Sequence, residues 1–181
     1  MDPITAERIK ELHPELGRRF TQLDTLLEPE IVLRVTQGLR TWPQQAELYA
    51  RGRTTPGELC SHNGVTLSIG SCTAHPLGLT VTKAKPGYSW HNFALALDAE
   101  PNNPAFPKWH SDENIRDSRW RRFLESAKTV GLAEGAEWRS FPDYPHLYPQ
   151  ELPATPGEDV RIAFAGGGFK AVWDLYPGLV T

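Results

Sequence analysis

Two short stretches concentrate the side chains most able to do chemistry. Ser89-Trp90-His91-Asn92-Phe93-Ala94-Leu95-Ala96-Leu97-Asp98 carries an imidazole and a carboxylate, and Asp143-Tyr144-Pro145-His146 carries another such pair. Imidazole nitrogen and carboxylate oxygen are two of the ligand types that zinc accepts. Three protein ligands plus water is the usual layout of a catalytic zinc site, with a nearby carboxylate as general base. Pro145 biases Tyr144 toward extended backbone, so the second pair is not read as two ligands on one helix face. Spacing alone leaves a plainer reading open. A chain with six histidines shows some His/Asp pairs by accident, and His91 and His146 are then loop histidines bonded to carboxylates, with Asp98 ending a strand.

The elements that must position these residues follow from hydrophobic periodicity. Leu16, Phe20, Leu23 and Leu27 recur at helical spacing, which predicts a helix over 5–27, with Pro14 placed where its missing N–H costs nothing. Ile31-Val32-Leu33-Arg34-Val35 is rich in β-branched residues and reads as a strand, followed by a helix from Pro43 to near Gly52. Residues 54–77 show no sustained periodicity and read as an irregular insert. Thr80-Val81-Thr82 is a short strand candidate, and Pro86-Gly87 marks a turn. From Phe93 to Asp98 large and small residues alternate, which predicts a strand with Phe93, Leu95 and Leu97 on a bulky face. Ala94, Ala96 and Asp98 form its slim face, past a bend that would let His91 swing toward the same space. Ser111 is placed to cap a helix running to about Val130, with Ile115, Phe123, Leu124, Ala127 and Val130 in its buried stripe and Gly131 at its end.

Length and composition set the frame. A chain of 181 residues with 39% hydrophobic and 23% charged residues can bury one ordinary core. Sixteen prolines and fifteen glycines predict a loop-rich fold rather than a helical bundle. The formal net charge of -3 argues against a nucleic-acid binder that works by neutralising phosphates. No apolar stretch is long enough to span a bilayer. The N-terminus lacks an apolar run, so synthesis in the cytoplasm without a signal peptide is expected. No heptads occur, and a monomer is expected. Pro153 and Pro156 set off residues 156–181 as a C-terminal arm on the main domain, 1–155.

Several separated motifs together resemble the M15 family of zinc peptidases. Ser89-x-His91-x6-Asp98 is followed by Trp138-x4-Asp143-x-Pro145-His146. Leu12-His13-Pro14 looks like the family's N-terminal helix motif. Val35-Thr36-Gln37-Gly38-Leu39-Arg40-Thr41, with Gln45, Leu48-Tyr49 and Gly52-Arg53-Thr54, looks like its strand-turn-helix segment. The resemblance implies an α+β fold with a small antiparallel sheet, flanking helices and the zinc site in a cleft at the sheet. It implies one zinc ion held by His91, Asp98 and His146. Asp143 would be the general base and would return the proton to the departing amine. Arg40 would stabilise charge on the substrate carbonyl or hold a substrate carboxylate, and Ser89, Gln45 and Trp138 would be substrate-side residues. Read without the resemblance, Arg40 is a surface cation and Gln45 a solvated helix residue.

Within the family, aspartate as the base in Asp-x-Pro-His looks like the phage-endolysin branch, whose members cleave between L-alanine and D-glutamate of cell-wall stem peptides. Peptidoglycan is then the expected partner, reached after release from the cytoplasm. A D-Ala-D-Ala carboxypeptidase of the same family is one alternative, and a zinc-containing cell-wall binding module without catalysis is another. The family usually has glycine where this chain has Ala94, and on the strand reading its methyl narrows the site. Cys60, His62, Cys72 and His75 could supply a second, structural zinc site, though a Cys60–Cys72 disulfide or two free thiols compete with it.

Overall fold

A computed structural model describes residues 1–29, 31–53, 59–62, 65–68, 80–102 and 118–179. For 59–62, 65–68 and Asn102 only the backbone is described. The helices are α1 (Pro3–Lys10), α2 (Pro14–Leu27), α3 (Trp42–Ala50), α4 (Ser118–Thr129) and α5 (Glu158–Trp173). The strands are β1 (Val32–Gln37), β2 (Leu59–His62), β3 (Val65–Ser68), β4 (Leu97–Asn102), β5 (Leu132–Gly135) and β6 (Asp143–Pro149). Four strands form an antiparallel sheet in the order β1-β4-β6-β5, and β2 and β3 form a separate hairpin. The expected α+β class with a small antiparallel sheet is what the chain adopts.

The sheet has one greasy face. Leu33 and Val35 from β1, Leu97 and Ala99 from β4, Leu132 from β5 and Leu147 from β6 join Leu16, Phe20, Leu23 and Leu27 of α2 and Phe123 and Ala127 of α4 in one buried cluster. At about 25 cal/mol per Å² of apolar surface, burying this cluster is the main force holding the two helices on the sheet. Side chains alternate across a strand, so Asp98 and His146, flanked by Leu97, Ala99 and Leu147, are free to face the other way. A second cluster sits around the short 3₁₀ helix Trp90–Phe93. Trp90, Phe93, Leu95 and Tyr148 pack there with Val160 and Val172 of α5 and with Leu179. Residues after Pro156 thus contribute to the packing that supports His91. The α5 backbone departs from helical geometry at Gly167 and Gly168.

Several local expectations need correction. The predicted helix over 5–27 is two helices, because Leu12-His13 breaks the run. Pro14 restarts it at the first helical position, and His13 caps it, its Nδ1 accepting from the Glu15 amide at 3.1 Å. The insert 54–77 is not wholly irregular, since β2 and β3 pair within it. Cys72 and His75 lie outside the described residues, as do the side chains of Cys60 and His62. Thr80–Thr82 forms no strand and runs as irregular chain along the cleft. The Ser111 cap and Ile115 also lie outside the described residues, while 118–129 is helical as expected.

The largest correction concerns 93–98. Trp90–Phe93 is a 3₁₀ turn, Ala94 adopts a left-handed backbone (φ 58°, ψ 28°), and the strand begins only at Leu97. Phe93 through Leu97 are all buried, so the alternation of large and small residues does not mark two faces.

Candidate metal centre and active site

Each potential ligand comes from a different local device. Asp98 on β4 and His146 on β6 are direct cross-strand partners. His91 is presented by the 3₁₀ turn, whose reversal at Ala94 brings the chain back to enter β4. Asp143 and His146 lie three apart on one strand, which a regular pleat would send to opposite faces. A bulge prevents this. Glu134 pairs with Leu147 while the next residue, Gly135, pairs with Asp143, so the β6 segment containing Pro145 loops out against a single step of β5. Bulges re-aim side chains in this way beside active sites. Gly135 is required by the close approach, because a Cβ there would lie 2.6 Å from the Asp143 carbonyl oxygen.

The three ligand atoms form a nearly equilateral triangle. His91 Nε2 is 3.0 Å from Asp98 Oδ1 and 3.1 Å from His146 Nδ1, and His146 Nδ1 is 3.2 Å from Asp98 Oδ1. A tetrahedral zinc ion with bonds of about 2.0–2.1 Å spaces its ligands about 3.3 Å apart, so the triangle is the right size for one. Protonation states agree. His91 Nδ1 donates to the Gly38 carbonyl at 2.8 Å, which leaves the Nε2 lone pair directed at the triangle. Burial holds the His91 imidazole below its usual range and so favours its neutral, ligating form. Burial pushes the Asp98 carboxyl up, but His91 and His146 outweigh it and keep Asp98 ionised well below the usual carboxylate range. Among the described residues, these three are the group able to hold a metal ion.

Around the triangle lies a cleft of about 900 Å³, lined among others by Arg40, Ser89, Trp138 and Asp143 together with the three ligands. Asp143 is pushed up to about 6, first by burial and then by the negative charge of Asp98. Arg40 spans the metal triangle and α3. Its Nη2 donates to Asp98 Oδ2 at 3.3 Å, and its Nη1 donates to Gln45 Oε1 at 2.9 Å. Its Nε is buried without a partner among the described residues, and burial lowers its affinity for the proton. Gln45 is fully buried and does not line the cleft. Its Nε2 donates to the Ala84 carbonyl at 2.8 Å, so it clamps Arg40 to the chain segment that forms the cleft wall. The Trp138 ring lies 5.0 Å from that of His146. Ala94 is absent from the cleft wall, so its methyl does not narrow the site.

Three cations of the cleft wall, Lys83, Lys85 and Arg139, were not singled out by motif reading. Isolated basic residues in loops carry no pattern that would mark them, and only the fold brings 83–85 and 139 to one cavity.

Comparison with known proteins agrees with this geometry. The M15 peptidase family model described as D-alanyl-D-alanine carboxypeptidase matches residues 82–148, the stretch that holds His91, Asp98, Asp143 and His146. Peptidoglycan L-alanyl-D-glutamate endopeptidase CwlK of Bacillus subtilis (strain 168) is 31% identical over 142 residues, covering 76% of this chain and 72% of that protein. The chain belongs to the M15 peptidase family. In fold, this M15 peptidase is similar to the crystal structure of Serratia marcescens L-Ala D-Glu endopeptidase ChiX. The TM-score is 0.51 at 15% identity, over 82% of this chain and 88% of the other. Among the described residues of the family member, no helix is long and apolar enough to cross a membrane.

Proposed function

We propose that this M15 peptidase hydrolyses the bond between L-alanine and D-glutamate in the stem peptides of cell-wall peptidoglycan. The observation that carries the reading is the identity with a peptidoglycan L-alanyl-D-glutamate endopeptidase, in a chain whose fold gathers His91, Asp98, His146 and Asp143 into one cleft. The Asp-x-Pro-His form of the second motif, with Asp143 and Pro145, supports the same branch.

His91 Nε2, Asp98 Oδ1 and His146 Nδ1 would hold one zinc ion. When bound, zinc supplies a Lewis acid for the scissile carbonyl and makes water acidic enough to attack near neutral pH. The chain's own residues do the rest. The Asp143 carboxylate accepts a proton from the attacking water. With its pKa raised to about 6, it can surrender that proton to the departing amine, because a base poised near the working pH serves both transfers. The Arg40 guanidinium keeps Asp98 oriented through Oδ2 and places positive charge where the carbonyl oxygen becomes negative. Gln45 holds Arg40 in place, while Ser89 and Trp138 line the cleft as substrate contacts.

The description of the matched family model favours a second reading, release of a C-terminal D-alanine. Digesting purified peptidoglycan with the zinc-loaded protein and identifying fragments by mass spectrometry separates the two. New N-terminal D-glutamate is the expected result, and free D-alanine instead would move the protein to the carboxypeptidase reading. Asp143→Ala is expected to cut the rate by about 10²–10⁴-fold, as for loss of a general base, while binding zinc in the same stoichiometry.

A further inference from the structure

The cleft carries more positive charge than the mechanism uses. Arg40, bonded to Asp98 and Gln45, already has its place in the mechanism. Lys83 spans the cleft wall, its Nζ donating to the Ser140 carbonyl at 2.9 Å and lying 5.6 Å from the centre of the Phe141 ring. Lys85 and Arg139 remain. Both are exposed, both line the cavity that holds the metal triangle, and neither has a carboxylate partner among the described residues. This excess of positive charge stands against a chain whose formal net charge is -3. The two carboxylates of the cleft, Asp98 and Asp143, are half-buried beside the imidazoles of His91 and His146, away from the exposed wall.

The substrate class supplies the missing charge. Glutamate is a dicarboxylic acid, so a D-glutamate whose amino group is acylated by L-alanine uses one carboxyl to continue the peptide. It displays the other as a free carboxylate unless that group is amidated. We propose that Lys85 and Arg139 form a subsite for this free carboxylate of the D-glutamate, making the protein selective for the acid over the amide. The inference rests on the cleavage reading above. The Lys83–Ser140 bond holds the segments carrying Lys85 and Arg139 side by side, so an ammonium and a guanidinium can both pair with one carboxylate, and exposed cations steer anionic ligands into a cleft. Because both are solvated, each pair is weak and sensitive to salt.

The test uses two synthetic peptides with the same L-Ala-D-Glu bond, one with the free D-glutamate carboxylate and one with that group as a carboxamide. The zinc-loaded protein is expected to cleave the acid with kcat/KM about five- to tenfold above the amide, mostly through KM, and the preference is expected to shrink at high ionic strength. Lys85→Gln with Arg139→Gln is expected to bring the two peptides to near-equal kcat/KM, and the charge-conserving pair Lys85→Arg with Arg139→Lys to keep the preference. A loss of structure would lower both substrates together and would not change their ratio. Equal cleavage of acid and amide by the unaltered protein would overturn the subsite. A preference that survives in the double glutamine variant would overturn its assignment to Lys85 and Arg139. Failure to cleave the L-Ala-D-Glu bond in either peptide would instead overturn the reading beneath it.

Discussion

Arg19 and Arg40 are nearly equally hidden, with side chains 9% and 12% exposed, yet they sit in opposite kinds of environment. Arg19 Nε donates to Glu15 Oε1 at 2.8 Å, its Nη1 to Glu151 and the Gly131 carbonyl, and its Nη2 to Glu151. Those bonds, the one to Glu151 foremost, raise its hold on the proton. Among the described residues Arg40 has one carboxylate contact at 3.3 Å, a neutral amide partner and an Nε with none, and burial lowers its hold on the proton. A buried cation with every nitrogen bonded is a fastener, here tying α2 to the turn after α4 and the turn after β6. One left partly unmet is available to new charge, and leaving it so costs stability that the rest of the fold must supply.

The sharpest way to break this contrast is to remove each guanidinium in turn. Arg40→Met is expected to lower kcat/KM by about 10²–10³-fold, the usual loss for a donor to developing negative charge. Its Tm should stay close to that of the unaltered protein, since the arginine it removes is incompletely satisfied. Steady-state kinetics with a parallel melting curve tests both halves, and a variant that loses stability instead of rate would make Arg40 another fastener.

Arg19→Met should do the reverse. Removing it takes the arginine from Glu151 and leaves Glu15 with Arg18 alone, and a loss of about 2–3 kcal/mol is expected, below the usual 3–5 because Glu151 is partly solvated and Glu15 keeps its Arg18 pair. Zinc-loaded kcat at low temperature should be unaffected. The pH dependence sharpens the point. Hydrogen bonding to Arg18 lowers the Glu15 carboxyl from its ordinary 4.5 to about 2, with burial opposing and Arg19 adding to the effect. A depressed carboxyl stabilises the fold above the ordinary value and loses that contribution as pH falls toward the depressed one. The Tm of the unaltered protein should therefore drop between pH 4.5 and 2 more steeply than that of Arg19→Met, by thermal melts across that range.

Ala94 joins the two regions. Its carbonyl accepts from the His13 amide at the head of the Arg19 helix, and its own amide lies 3.4 Å from the His91 carbonyl, which also accepts from the backbone amide of Arg40. A left-handed alanine is strained by about 1 kcal/mol, which explains why glycine suits the position. Ala94→Gly is expected to raise stability by about 0.5–1 kcal/mol and to leave kcat/KM within about twofold, since glycine relieves that strain but gains freedom in the unfolded chain. A large gain in rate would contradict the placement of Ala94 away from the cleft.

These regions also show what sequence patterns carry and what they lose. That His91, Asp98, His146 and Asp143 gather in one cleft was legible from several separated motifs that together resemble a known family, whereas the spacing of each pair alone left a plainer reading open. The strand at Ile31–Val35, the helix after Pro43 and the buried stripe of Phe123, Leu124, Ala127 and Val130 were legible from apolar periodicity. The 93–98 strand was misread because a 3₁₀ turn followed by one left-handed residue leaves no periodic trace when every side chain is buried. β6 was concealed by Pro145 and Pro149, which argue against a strand unless a bulge accommodates proline. The Arg19 network was invisible for another reason, since Glu151 lies 132 positions away and no local rule joins it to Arg19.

The middle seam of the sheet is its shortest. β1 and β4 are registered over five pairs and β5 and β6 over four, whereas β4 and β6 meet only at Leu97–Leu147 and Asp98–His146. Two of the three candidate ligands, Asp98 and His146, sit on opposite sides of that seam. A bound ion would therefore act as a cross-strand rivet, and its binding free energy would fall on the junction with the fewest backbone hydrogen bonds. Stripping the metal should let the two halves of the sheet loosen from each other, with amide exchange accelerating at Leu97 and Leu147 before it does deep in the α2–α4 core.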